Sequence, residues 1–232
     1  MALPFALPAS LAPSFVASRC TAADVDVDAL SEAYYDSFRT DVRNTFWWPA
    51  ARAPMIAWMR QRFRCNLGTR GVHQFTLADA GTGDIVAFAR WSVPAGHAGL
   101  FGEWAGAESE GEAGVDYPEG SPPEPCRRFF DALQHMADKH GADGMLKLSL
   151  LFTAPKYHGR GAGTALVRPV LALADAHGLR AYVQATPRAK ALYEKLGFRE
   201  VERVSFSLEE LAGSGQTGTC DFSAMIREPQ SA

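Results

Sequence analysis

Cysteine is scarce and dispersed. The four thiols, Cys20, Cys65, Cys126 and Cys220, form no C-x-x-C pair, which argues against a disulfide framework or a thiolate metal site. Reduced thiols in a cytoplasmic protein are the expectation. Long apolar runs are absent too; none approaches the roughly 20 residues that a membrane span needs. Residues 1–17 are apolar and proline-rich but have no basic start, so no signal peptide is expected. Neither sign of charge dominates: 23 Lys and Arg against 26 Asp and Glu leave −3. Nothing in that balance attracts nucleic acid or an anionic membrane, and a mildly acidic surface is compatible with amine substrates. No H-E-x-x-H motif is present, since His135 and His140 stand five apart, and no metal is expected. No internal repeat is visible. The 232 residues, 47% hydrophobic and 21% charged, suit one compact domain with a sizeable core.

What is present centres on Leu146 to His177, LKLSLLFTAPKYHGRGAGTALVRPVLALADAH. An apolar run bounded by Pro155 reads as a buried strand. Gly159, Gly161 and Gly163 space the turn after it. Leu166, Val167, Val170, Leu173 and Ala174 then recur at helical spacing until Gly178. A strand, a glycine turn and a helix start make an anion cradle. The first amides of a helix lack intrahelical partners, and the helix dipole favours negative charge there. Arg160 and Lys156 add positive charge. Gly163-Thr164 lacks the lysine of a Walker loop, and Thr164 and Leu166 stand where a G-x-G-x-x-G fingerprint requires glycine. A glycine-rich surface turn without a ligand is the plain alternative.

The residues HGRGAG after LLFTAP resemble the Q/R-x-x-G-x-G/A pyrophosphate loop of the GCN5-related N-acetyltransferases (GNAT), with His158 at the Gln/Arg position. ATPRAKALYEKLGF, Ala185 to Phe198, is similar to that family's second motif, N-x-x-A-x-x-L-Y-x-x-x-G-F. The likeness covers the last ninety residues well and looks most like fungal small-molecule members. It implies an α/β (α+β) acyl-CoA N-acyltransferase fold: a mixed, twisted sheet of about six to seven strands with helices on both faces. It also implies acetyl-CoA as co-substrate. The backbone of His158, Gly159, Arg160, Gly161, Ala162, Gly163 and Thr164 would hold the pyrophosphate, and main-chain groups of Leu151, Phe152 and Thr153 the pantetheine arm. Tyr193 matches the tyrosine that protonates the departing thiolate; as one of the apolar face Ala189, Leu192, Tyr193, Leu196, it is equally a packed side chain. Thr186 replaces the family's asparagine and reads as a helix cap and a weaker ligand. Pro169 is expected to kink the cofactor helix. The strand before the turn offers Ser149 and no carboxylate, so no general base is assigned; Asp36, Glu103 and Asp116 read as surface charges.

Elsewhere the pattern gives an irregular arm over residues 1–13, a strand near 14–20 and helices over 21–38 and 54–66. A hairpin follows over 74–93, then a helix over 127–140, a strand over 180–185 and a terminal strand pair. The segment 95–125, rich in Gly, Glu and Pro, reads as a mobile insert or a lid. Phe46, Trp47, Trp48, Trp91 and Trp104 are candidates for an aromatic acceptor wall or for plain core. The expected activity is direct acetyl transfer to a primary amine of a small molecule, by a monomer or homodimer. The alternatives are acetylation of a protein N-terminus or lysine, and a non-catalytic acyl-CoA sensor.

Overall fold

In the computed structural model the described residues are 6–21, 26–41, 43, 45–102, 117–212 and 217–230. Seven strands alternate with helices along the chain: β1 (Phe15–Arg19), α1 (Val27–Phe38), α2 (Arg52–Gly68), β2 (Val72–Asp79), β3 (Ile85–Ser92), α3 (Pro123–Lys139) and β4 (Leu146–Thr153). There follow α4 (Ala162–Ala176), β5 (Ala181–Ala185), α5 (Pro187–Lys195), β6 (Arg199–Ser207), α6 (Leu208–Ala212) and β7 (Thr219–Arg227). The strands form one sheet in the order β1-β2-β3-β4-β5-β7-β6. Every pairing is antiparallel except β4 with β5. No helix among the described residues is long and apolar enough to cross a membrane.

Each face of the sheet buries its own core. Leu166, Val167 and Val170 of α4 and Tyr193 of α5 pack on Phe75, Ala89, Trp91 and Leu148 on one face. On the other, α1, α2, α3 and α6 pack Leu30, Met59, Phe63, Phe129 and Leu208 on Phe88, Phe152 and Tyr182. Strict alternation along β4 would place Leu146, Leu148, Leu150 and Phe152 all on the α4 face. The structure differs. Arg90 pairs with Leu150 while Trp91 pairs with Leu148, so Ser149 is the extra residue of a β-bulge and reverses the faces beyond it. Leu146 and Leu148 therefore meet α4, whereas Leu150 and Phe152 meet the opposite core.

Some boundaries depart from the sequence pattern. Helix α1 is capped by Asp26, whose Oδ1 accepts from the amides of Asp28 and Ala29. Helix α2 begins two residues before and ends two residues after the expected 54–66, with Gly68 its last residue and Thr69 the cap. Pro169 sits within α4, which continues to Ala176 because one missing amide leaves its other hydrogen bonds in place. The Gly- and Ser-rich connection after β6 begins with the short helix α6. Residues 1–5 of the arm, Asp24 and residues 103–116 of the insert, with Glu103, Trp104 and Asp116, lie outside the described residues.

Candidate active site

The parallel pair β4–β5 is short. It joins only Leu146–Leu148 to Ala181–Val183. Strand β4 stays paired with β3 as far as Thr153, and β5 with β7 as far as Ala185. The two strands therefore part beyond Leu148 and Val183, and each presents a free backbone edge to the gap. Since the amide of Ala154 donates to Val86 O on β3, antiparallel alternation also directs Phe152 and Leu150 at β3. Leu151 and Thr153 then turn their main-chain groups into the gap. Of the three residues expected to pair with pantetheine, Phe152 thus points its backbone at β3. Its ring stacks on Phe88, centroids 5.3 Å apart.

At the end of the gap lies the glycine turn. Gly159 (φ 75°) and Gly161 (φ 80°) occupy the left-handed region, which costs a side-chain-bearing residue about 1–2 kcal/mol. Gly161 is the N-cap of α4 and supplies no side-chain bond. The first intrahelical bond runs from Ala165 N to Gly161 O, so the amides of Ala162, Gly163 and Thr164 have no acceptor within the helix. A Cβ on Gly163 would come within 3.3 Å of Thr153 Oγ1, so α4 approaches β4 closely because this residue is small. These features fit a diphosphate.

The flanking polar residues are arranged otherwise than expected. The amide of His158 is not one of the unpaired donors, since it donates to Pro155 O. Its ring instead makes the local contacts, with Nε2 2.7 Å from Thr153 O and Nδ1 3.1 Å from Arg188 Nη2. Lys156 is tied to Asp84 at 2.5 Å, so its charge is already answered. Arg160 lies over the Tyr157 ring, 5.3 Å from its centroid. Thr186 caps α5 as expected, its Oγ1 accepting from Ala189 N at 3.4 Å.

A cleft of about 860 Å³ opens from the gap toward α1, α2 and α3. Leu151, Thr186 and Tyr193 line it, with Tyr34 of α1, Arg90 of β3 and Phe130 of α3. Tyr193 is 4% exposed and packs edge-on against Phe198. Burial pushes its hydroxyl above the ordinary tyrosine range, so it stays protonated at neutral pH and can donate. Gln184 Nε2 donates to Leu133 O at 2.5 Å, fastening β5 to α3 along the cleft.

Of the two readings of the aromatics, plain core holds for three. Phe46, Trp47 and Trp91 are core residues and line no part of the cleft. Trp48 stacks on Tyr34 from behind, 5.8 Å between centroids. The cleft aromatics are others, among them Tyr34, Phe38, Tyr117 and Phe130. Asp36 is ion-paired with Arg39 at the surface and does not line the cleft. Among the described lining residues Asp131 is the one carboxylate, against Arg62, Arg90, Arg127 and Lys147. This excess of cations was not legible in a chain of net charge −3.

Residues 133–207 match the model of the acetyltransferase (GNAT) domain. Along nearly its whole length the chain shares its fold with solved structures of low identity. One is described as histone acetyltransferase HPA2 and related acetyltransferase from Corynebacterium glutamicum, at 20% identity and a TM-score of 0.55, covering 94% of this chain and 98% of that one. Another is the C-terminal condensation domain of Ebony, at 12% identity and 0.63, covering 92% and 98%. A third is a putative acetyltransferase from Acinetobacter baylyi, at 14% identity and 0.51, covering 92% of each chain. No curated protein matches the sequence. The domain match spans the parted strands, the glycine turn and the helix bearing Tyr193; this part of the chain is similar to a GNAT acetyltransferase domain, and the chain as a whole shares the fold of the solved structures.

Proposed function

We propose that the protein moves an acetyl group from acetyl-CoA directly to a primary amine of a small molecule, without a covalent enzyme intermediate. The observation that carries this reading is the parting of β4 from β5, with an anion cradle at one end of the gap and Tyr193 beside a deep cleft. The amides of Ala162, Gly163 and Thr164 would hold the diphosphate, and the main chain of Leu151 with the amide of Thr153 the pantetheine arm, since the Thr153 carbonyl already accepts from Ser37 and faces His158. When bound, acetyl-CoA supplies the activated acyl group as a thioester. Leu151 N–H, aimed into the gap, would donate to the acyl oxygen as negative charge develops there. Tyr193, kept protonated by burial, would return a proton to the leaving sulfur. A cleft of about 860 Å³ falls in the range of roughly 300–1,000 Å³ used for small ligands. The Ebony domain of the same fold is solved in complex with beta-alanyl-dopamine. The fungal small-molecule likeness rests on the sequence alone: the insert-bearing layout, the AD of the long helix and the LYEKLGF ending.

Following free thiol from acetyl-CoA against a panel of amines tests the reading. Tyr193→Phe should lower kcat by about 10²–10⁴-fold while acetyl-CoA affinity stays the same. Unchanged turnover would remove Tyr193 from the chemistry. Acetyl-CoA binding with no thiol release for any amine would leave a sensor in place of an enzyme, and activity confined to peptides would point to a protein acceptor.

A further inference from the structure

Arg90 is the residue of the cleft that the proposed chemistry leaves unused. It is 8% exposed on a central strand, where long charged side chains are seldom found without a counterion. Its Nε donates to Ser149 Oγ at 3.0 Å, and Ser149, held in the bulge, donates back to Arg90 O at 3.2 Å. The guanidinium is thus fixed in position. Its Nη1 is buried and has no hydrogen-bond partner, and Arg90 joins no ion pair among the described residues. The contrast with Arg227, equally buried but paired with Asp175 through both terminal nitrogens at 2.6 and 2.7 Å, shows what a satisfied buried arginine looks like here.

The surroundings add positive charge. Arg62 of α2 lines the same cleft, and its charge, after the effect of burial, lowers the Arg90 pKa to about 9, with Tyr34 acting in the opposite sense. Arg90 therefore remains charged at neutral pH. Lys147 and Arg127, the other lining cations, already face Asp143 and Glu124. A fixed, buried guanidinium with an unanswered N–H is a receptor for a planar anion. The coenzyme is not that anion: Arg90 pairs with Leu150 and shares the sheet face of α1 and α2. The phosphate cradle begins only beyond Thr153, about 10 Å along the strand.

We propose that Arg90, positioned by Ser149, binds a carboxylate on the acceptor, so that the substrate is an amino acid or other amino-carboxylate rather than a polyamine or an uncharged amine. This rests on the acetyl-transfer reading above. A carboxylate at Arg90 leaves the amine of the same molecule inside the cleft that Tyr193 lines. The neighbouring cations also favour the neutral, nucleophilic form of that amine, since like charge disfavours an ammonium. They perform part of the task for which β4 supplies no carboxylate.

Matched pairs decide it: L-phenylalanine and phenethylamine, L-tyrosine and tyramine, L-lysine and cadaverine, each offered with acetyl-CoA to the full chain. The expected result is a kcat/KM at least tenfold higher for the member retaining the α-carboxylate in at least one pair. That preference should be lost in Arg90→Met and partly kept in Arg90→Lys, with acetyl-CoA affinity unaltered in both. Equal or reversed preference in the wild type, or a preference that survives Arg90→Met, overturns the proposal. If no amine reacts, it is the transfer reading that fails, and binding then decides the anion site. Titration of 3-phenylpropionate should show binding to the wild type and at least tenfold weaker binding to Arg90→Met; equal or undetectable binding to both overturns it. Arg90→Lys, which retains the charge, guards against a Met variant that fails to fold.

Discussion

At the scale of single residues the candidate site depends on side chains that are absent as much as on those present. Gly161 starts α4 in the left-handed region with no side chain over the helix end. Gly161→Ala should strain the turn by about 1–2 kcal/mol and shift amides whose aim decides anion binding. We expect acetyl-CoA affinity to fall tenfold or more, with far-UV circular dichroism unchanged, by calorimetric titration. Gly99→Ala is the control, since nothing lies within 4 Å of its Cβ position, and it should bind like the wild type. Arg90 belongs to the same scale. Its type is visible in the sequence, but its lack of a partner is not.

At the scale of elements the bulge in β4 sets the geometry. Ser149 has no partner on β3, because Arg90 pairs with Leu150 and Trp91 with Leu148; this one extra residue lets Leu148 and Leu150, two apart, face opposite cores. Deleting Ser149 makes Leu148 and Leu150 adjacent, and regular alternation then keeps every one of these pairs and faces. The deletion is expected to retain near-UV circular dichroism and cooperative urea unfolding. The alanine variant, which loses the hydroxyl between Arg90 Nε and Arg90 O, should cost about 1 kcal/mol. A deletion variant that loses cooperative unfolding would show that β4 needs the extra residue to hold its faces. Helix α5 illustrates the legible case: Thr186 followed by Pro187 caps as the sequence predicts.

At the scale of the molecule, stability should depend on pH through His73. It is 3% exposed between Arg19, whose Nη2 lies 2.9 Å from Nδ1, and the Phe101 ring. Burial, then the charge of Arg19, lowers its pKa from 6.5 to about 4. The unfolded chain thus takes up this proton at higher pH than the folded one, and stability rises with pH across that interval. His73 contributes fully above about 6.5, and its share is lost as pH falls toward 4 at up to about 1.4 kcal/mol per pH unit. Urea midpoints at pH 4.5 and 7 should differ less in His73→Gln than in the wild type. An identical difference in both would exclude His73 as the source.

The sequence by itself determined what depends on neighbours along the chain. Glycine spacing predicts the turn over Gly159, Gly161 and Gly163, helical periodicity predicts α4, and Thr186-Pro187 predicts a capped α5, because backbone sterics and capping act over a few residues. Only the tertiary structure decided what depends on partners far along the chain. The pairing of Lys156 with Asp84, the burial of Trp47 and Trp91 away from the cleft, and the isolation of Arg90 fall in this group. So does the break between β4 and β5. Local patterns rank side chains by polarity, but which cation meets a carboxylate, and which strand edge stays bare, follows from how the helices settle on the two faces of the sheet.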